Sequence, residues 1–174
     1  MIYFAYGSNM LLARLQRRVP SARRIDGVFC LPGHQLRFHK EGMDGSAKCD
    51  SHLTDDPADR VLGALFEMDP AHRDRLDAAE GLGDGYLDKD VQVSDTAGRL
   101  VEAHTYYATR INGSLLPFSW YKDHVLMGAR ETDLPRRYIA SIEKLKSTDD
   151  DDWMREVSER AIQDQRIHLR YAAE

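Results

Sequence analysis

The sequence predicts an α+β fold built as one domain. Strand-like segments fill residues 2–6, 25–39, 46–53, 61–68, 86–94 and 100–108, all within the first two thirds of the chain. Helical spacing dominates residues 119–131, 135–146 and the stretch beyond 149–152. Strands followed by helices argue against a regular α/β alternation. The 174 residues suffice for a single core without staples, and no repeat or linker divides them.

Residues 2–6, Ile2-Tyr3-Phe4-Ala5-Tyr6, are β-branched and aromatic and read as a buried first strand. Ser8 or Asn9 then stands where a helix cap belongs. Met10, Leu11, Leu12, Leu15 and Val19 supply that helix's apolar positions, and Pro20 stops it. Weaker strand patterns at 25–39 and 46–53 are broken by Gly27, Pro32-Gly33 and the glycines at 42 and 45. A stronger strand covers 61–68. Asp69 caps the next helix, which takes Pro70 at its first position, carries Arg73, Leu76, Asp77 and Glu80, and ends at Gly81. Strands at 86–94 and 100–108 flank the turn Thr96-Ala97-Gly98. The helix at 135–146 enters through Leu134-Pro135. The four aspartates at 149–152 precede a helical stretch with Trp153, Val157, Ala161 and His168, and capping its positive end explains them. A metal site or acidic patch is the alternative, but no further ligand stands at metal-site spacing.

With 24 basic and 29 acidic residues the net charge is −5, which speaks against a nucleic-acid partner. Arg14, Arg17, Arg18, Arg23 and Arg24 form a local exception with no acid between them. They either attract an anionic partner or complement a helix C-terminus. No apolar run approaches the ~20 residues of a membrane span. The N-terminus lacks a basic leader, so a cytoplasmic location with Cys30 and Cys49 as free thiols is expected. Cys49 and His52 make a C-x-x-H pair without a second pair, and the Gly81, Gly83, Gly85 spacing fails the dinucleotide fingerprint. Neither a metal nor a cofactor is expected.

Three segments carry a chemical signal. Tyr6-Gly7-Ser8-Asn9 joins a strand to a helix, where backbone N–H groups suit a carboxylate or oxyanion. Glu80 falls at a helix C-terminus, where the dipole and low exposure favour a carboxyl that holds or releases a proton near neutrality. Tyr121, opening the helix that contains Gly128 and Ala129, is placed to point a hydroxyl into a site.

Taken in order, these segments resemble the γ-glutamylcyclotransferase family. The match runs through Tyr3-Phe4-Ala5-Tyr6-Gly7-Ser8-Asn9-Met10, then Leu76-Asp77-x-x-Glu80-Gly81 with Tyr86. It closes with Tyr121-Lys122 and Met127-Gly128-Ala129-Arg130-Glu131-x-x-Leu134-Pro135-x-x-Tyr138, spanning about residues 2–142. Asn9 places the chain nearer the general branch than the glutathione-specific one. The resemblance implies a small mixed β-barrel with surrounding helices, as a catalytic domain over 1–146. Residues 147–174 then form a helical extension packed on that domain, with a homodimer as the alternative use of it. It also implies cyclisation of a small-molecule γ-glutamyl amide to 5-oxoproline, without cofactor. Glu80 is then base and acid, Gly7, Ser8 and Asn9 hold an oxyanion or carboxylate, and Tyr6 and Tyr121, with Tyr3 as a further candidate, line the pocket. Release of a γ-glutamyl group from a larger or carrier-bound amine stays open, as does a non-catalytic binding module. Two departures fall on the expected leaving-group side. They are Gly45-Ser46-Ala47-Lys48-Cys49-Asp50, where some members are richer in glycine, and Phe118.

Overall fold

Residues 1–171 are described in a computed structural model, with side chains through 163. His168 as a side chain and residues 172–174 of the expected extension lie outside the described residues. The strands are β1 (Ile2–Ala5), β2 (Arg23–Pro32), β3 (His34–Glu41), β4 (Ala47–Leu53), β5 (Arg60–Glu67), β6 (Tyr86–Ser94) and β7 (Leu100–Ala108). The helices are α1 (Leu12–Arg18), α2 (Arg73–Glu80), α3 (Ser119–Glu131), α4 (Arg136–Glu143) and α5 (Trp153–Tyr171).

Five strands close a barrel in the order β1-β5-β2-β6-β7. Neighbours are antiparallel except β1 and β7, which close it in parallel at Tyr3 and His104. The barrel is therefore mixed, and closure leaves it without an open edge. Phe4, Phe29, Val61, Leu65 and Phe66 are almost completely buried and belong to one core cluster. β3 and β4 form a separate antiparallel ribbon. The 25–39 segment is two strands that turn at Gly33, where the Pro32-Gly33 break is expected, one in the barrel and one in the ribbon.

The helix expected to start at Ser8 or Asn9 is interrupted. A 3-10 turn covers Ser8–Met10, Leu11 is extended, and α1 begins at Leu12 without a side-chain cap from either residue. The reason is competition: the Asn9 amide is engaged elsewhere, as described below. Glu131 at the end of α3 accepts a hydrogen bond from the Leu12 N–H at 3.2 Å and pairs with Arg24 at 3.0 Å. A distant residue thus satisfies a donor that local capping leaves open.

Gly128 explains how close α3 lies to that turn. A Cβ there would meet the Leu11 nitrogen at 2.5 Å and the Met10 carbonyl carbon at 2.6 Å. Asp69 caps its turn as expected, accepting from the Ala71 N–H at 2.9 Å. Asp152 does the same for α5 through the Arg155 N–H at 3.1 Å, while Asp150 turns inward to the Trp120 indole at 2.8 Å and to Arg155. Glu159 ties α5 to α1 and α3 by accepting from Arg14 and His124. Among the described residues, no helix is long and apolar enough to cross a membrane.

Candidate active site

β1 delivers Tyr3 and the chain leaving it delivers Tyr6 and Gly7 to the barrel end. Gly7 is required there by proximity: a Cβ would lie 3.0 Å from Cys49 Cβ and 3.5 Å from the Tyr121 hydroxyl. All seven residues singled out from the sequence, Tyr3, Tyr6, Gly7, Ser8, Asn9, Glu80 and Tyr121, line one small cavity. Cys49, Tyr86 and Tyr106 complete its wall.

Asn9 organises this cavity. Its Nδ2 donates to Glu80 Oε1 at 2.5 Å and to the Tyr3 hydroxyl at 3.2 Å, while its Oδ1 accepts from Arg18 at 2.8 Å. Both amide hydrogens are used, so Asn9 holds Glu80 rather than offering its side chain to a ligand. Arg18 also reaches Glu80 Oε1 at 3.3 Å, leaving Oε2 without a partner from these two. The Glu80 side chain is 15% exposed, enough to meet a ligand in the cavity.

Three of the cavity tyrosines are fixed donors. Tyr6 donates to the Tyr106 carbonyl at 2.6 Å, Tyr86 to the Cys49 carbonyl and Tyr106 to Asp77. Tyr121 accepts from the Cys49 N–H at 3.0 Å and its hydroxyl also meets the Cys49 thiol. Burial pushes all five cavity phenols, Tyr3, Tyr6, Tyr86, Tyr106 and Tyr121, well above the ordinary tyrosine range. Nearby Glu80 adds to the effect at Tyr3. They therefore stay protonated around a carboxylate. Burial likewise pushes the Cys49 thiol up to about 12, which makes it a wall and not a nucleophile.

The cavity opens into a wider mouth that shares Ser8, Glu80, Tyr86 and Tyr121 with it. Arg14, Arg18, Lys40 and Lys48 line this mouth. Lys48 pairs with Asp44 at 2.6 Å and sits over the rings of Tyr121, Trp120 and Phe118. Of the two departures noted in the sequence, the 45–50 segment reaches the mouth through Lys48, and Phe118 lies beneath that ammonium without lining the mouth. Lys40 is 5% exposed and stacks over the Tyr86 ring at 4.7 Å, with no carboxylate at ion-pair distance among the described residues.

The sequence singled out neither Arg18, Lys40, Tyr86 nor Tyr106 as wall residues, and it reached Lys48 and Cys49 only as part of the 45–50 segment on the expected leaving-group side. Arg18 does sit in the last turn of α1, as the dipole argument expects. Its side chain nevertheless continues into the site. The arginines at 14–24 do not form one surface. Arg14 turns to Glu159, Arg18 to Asn9 and Glu80, and Arg24 to the Met10 carbonyl and Glu131.

A model of the AIG2-like family matches residues 60–142. The chain is 32% identical over 165 residues to human γ-glutamylcyclotransferase, covering 91% of this chain and 84% of that relative. It is 33% identical over 162 residues to the protein of the same name from Bos taurus, with the same two coverages. A solved γ-glutamyl cyclotransferase superposes with a TM-score of 0.78 at 28% identity, over 86% of this chain and 89% of that one.

Proposed function

The chain belongs to the γ-glutamylcyclotransferase family, and from that premise we propose that it converts a γ-glutamyl amino acid to 5-oxoproline and the free amino acid. One observation carries the proposal. Glu80 is held by Asn9 and Arg18 at the boundary between a small phenol-lined cavity and a basic mouth. The cavity suits a glutamyl head and the mouth suits what leaves.

In this reading the substrate's α-nitrogen attacks its own γ-carbonyl carbon, forming the five-membered lactam as the C–N bond to the leaving amine breaks. Folding the flexible glutamyl chain in the cavity supplies proximity, which accounts for several kcal/mol of barrier. The protons balance without water. An α-ammonium sheds two on its way to the lactam N–H, and the departing amide nitrogen gains two on its way to an ammonium. Glu80 takes a proton from the attacking nitrogen and returns one to the leaving nitrogen, a task worth about 10²–10⁴-fold in rate. The backbone N–H groups of the Gly7-Ser8-Asn9 turn and the Tyr121 hydroxyl stabilise the tetrahedral oxyanion.

Lys40 makes the leaving group more specific. A buried ammonium on which Glu80, Asp84 and Asp44 act only from beyond ion-pair distance favours a closer anion, and an amino acid's carboxylate supplies one. An acidic carrier docking on the 14–24 cluster fits less well, because those arginines point to separate partners.

The test is product identity. Incubation with γ-glutamyl dipeptides in ¹⁸O-water yields unlabelled 5-oxoproline and one equivalent of amino acid if cyclisation occurs. Glutamate labelled in its γ-carboxylate identifies a hydrolase instead, and binding of 5-oxoproline without any turnover identifies a binding module.

A further inference from the structure

Alternation along β4 sends Cys49 to the cavity wall and directs Asp50 and His52 to the opposite side. Across the ribbon, the register passes from the Phe38–Cys49 pair directly to Lys40–Lys48, so His39 is the extra residue of a β-bulge. That bulge brings its imidazole to Asp50. His39 Nε2 lies 2.8 Å and His52 Nδ1 3.8 Å from the same carboxylate oxygen, Asp50 Oδ2. The three ligand-type atoms lie within 4.8 Å of one another.

The arrangement is braced from outside the ribbon. Asp50 Oδ1 accepts from the Ala108 N–H at 2.8 Å, which ties one carboxylate oxygen to β7 and aims the other at the imidazoles. The His39 carbonyl accepts from the Asn112 N–H at 2.7 Å, anchoring the bulge. Asp50 and His39 are buried, whereas the His52 side chain is 34% exposed and leaves a route from solvent. A structural His–Asp hydrogen bond needs only His39 and Asp50. A third donor group beside the same oxygen, from a solvent-reaching residue, is what a metal ion uses.

We propose that His39, Asp50 and His52 bind a divalent first-row transition ion, with Zn²⁺ the best match. Two imidazoles and one carboxylate suit Zn²⁺ and disfavour Mg²⁺ and Ca²⁺, which prefer all-oxygen shells. Tetrahedral ligands at about 2.0–2.2 Å from zinc lie about 3.3 Å from each other. The observed 2.8 and 3.8 Å bracket that value and the two imidazole nitrogens lie within 4.8 Å of each other, so side-chain shifts bring all three onto one ion. Water takes the fourth position. On binding, the His39 ring hydrogen moves from Nε2 to Nδ1, freeing the ligating lone pair. Arg37 and Lys89, whose charges reach His52 and Asp50, oppose a dication and moderate the affinity.

The site lies behind the cavity wall, so it stands or falls independently of the proposed reaction. Untagged full-length protein, stripped with chelator and dialysed, is titrated with Co²⁺, whose visible absorption reports coordination, and then with Zn²⁺ in competition. One Co²⁺ per chain, displaced by Zn²⁺, and a melting temperature that rises with Zn²⁺ are expected. His52→Ala keeps the His39–Asp50 bond and should fold as the parent does without metal, yet lose at least about tenfold in affinity. Wild-type affinity no higher than that of His52→Ala, or no Co²⁺ bound by the wild type, overturns the proposal.

Discussion

Replacing Asn9 with alanine removes three hydrogen bonds at once: to Glu80 at 2.5 Å, to Tyr3 at 3.2 Å and from Arg18 at 2.8 Å. Two of them involve a charged partner, and each bond of that kind contributes about 1.5–3 kcal/mol when water cannot replace it. The cavity admits water, so the net loss of stability is smaller, roughly 1–2 kcal/mol, or about 2–8 °C in melting temperature for a chain of this size. The kinetic effect is larger. Without the amide, Glu80 keeps only the 3.3 Å contact with Arg18 on the same oxygen, and the carboxylate is free to swing. A displacement of about 1 Å at the proton-transfer group costs on the order of 100-fold in kcat. KM should change much less, because the phenols and backbone of the cavity remain. Initial rates of 5-oxoproline release at saturating dipeptide, measured beside thermal melts, separate the two effects. A lowered melting temperature with kcat held within about twofold would refute the positioning role.

Three further expectations follow from the same contacts. Gly128→Ala drives a Cβ into the backbone of Met10 and Leu11, so denaturant unfolding should report a loss of about 1–3 kcal/mol; an unchanged midpoint would mean that α3 yields freely. Lys40→Gln should lower kcat/KM for a γ-glutamyl amino acid by about 10–100-fold, the size of a charge-assisted hydrogen bond, while sparing a γ-glutamyl alkylamide of similar size; equal losses on both substrates would remove Lys40 from carboxylate recognition. Hydrogen bonds from Arg155, helped by Trp120, hold Asp150 at about 2, and at Glu159 the partners His124 and Arg14 overcome burial to the same end. Because both carboxyls are depressed in the folded state, their stabilisation is present above the unfolded-state values near 4. It is lost as pH falls toward 2, so acid melts of an Asp150→Asn, Glu159→Gln variant should lack that part of the wild-type decline.

Much of the barrel was legible because its strands are strongly patterned. The segments at 86–94 and 100–108 match β6 and β7 residue for residue, and 61–68 is displaced by one from β5. The cavity residues were legible because the strand-to-turn junction at Tyr6-Gly7-Ser8-Asn9 and the helix end at Glu80 are local features of the chain. What stayed hidden depends on contacts made far along the sequence. Asn9 abandons its capping position for Glu80, 71 residues away, and the cap on Leu12 comes from Glu131, 119 residues on. Propensity has no access to such competition. Lys40 and Lys48 reach the mouth through a ribbon whose pairing only the folded register reveals, and His39 meets Asp50 and His52 through a bulge that no spacing rule anticipates. Arg18 satisfied the helix-dipole argument by position while its side chain served the site.

The central claim is that Glu80 moves the protons of an intramolecular cyclisation. It is tested most directly by comparing wild type and Glu80→Gln in continuous release of 5-oxoproline from a γ-glutamyl dipeptide, with melting temperatures to show that both are folded. The amide retains the size of the carboxylate and an acceptor for Asn9, yet neither accepts nor returns a proton at neutral pH. The account predicts a folded variant whose kcat falls by about 10²–10⁴-fold. A folded Glu80→Gln protein that still forms 5-oxoproline at the wild-type rate would contradict it.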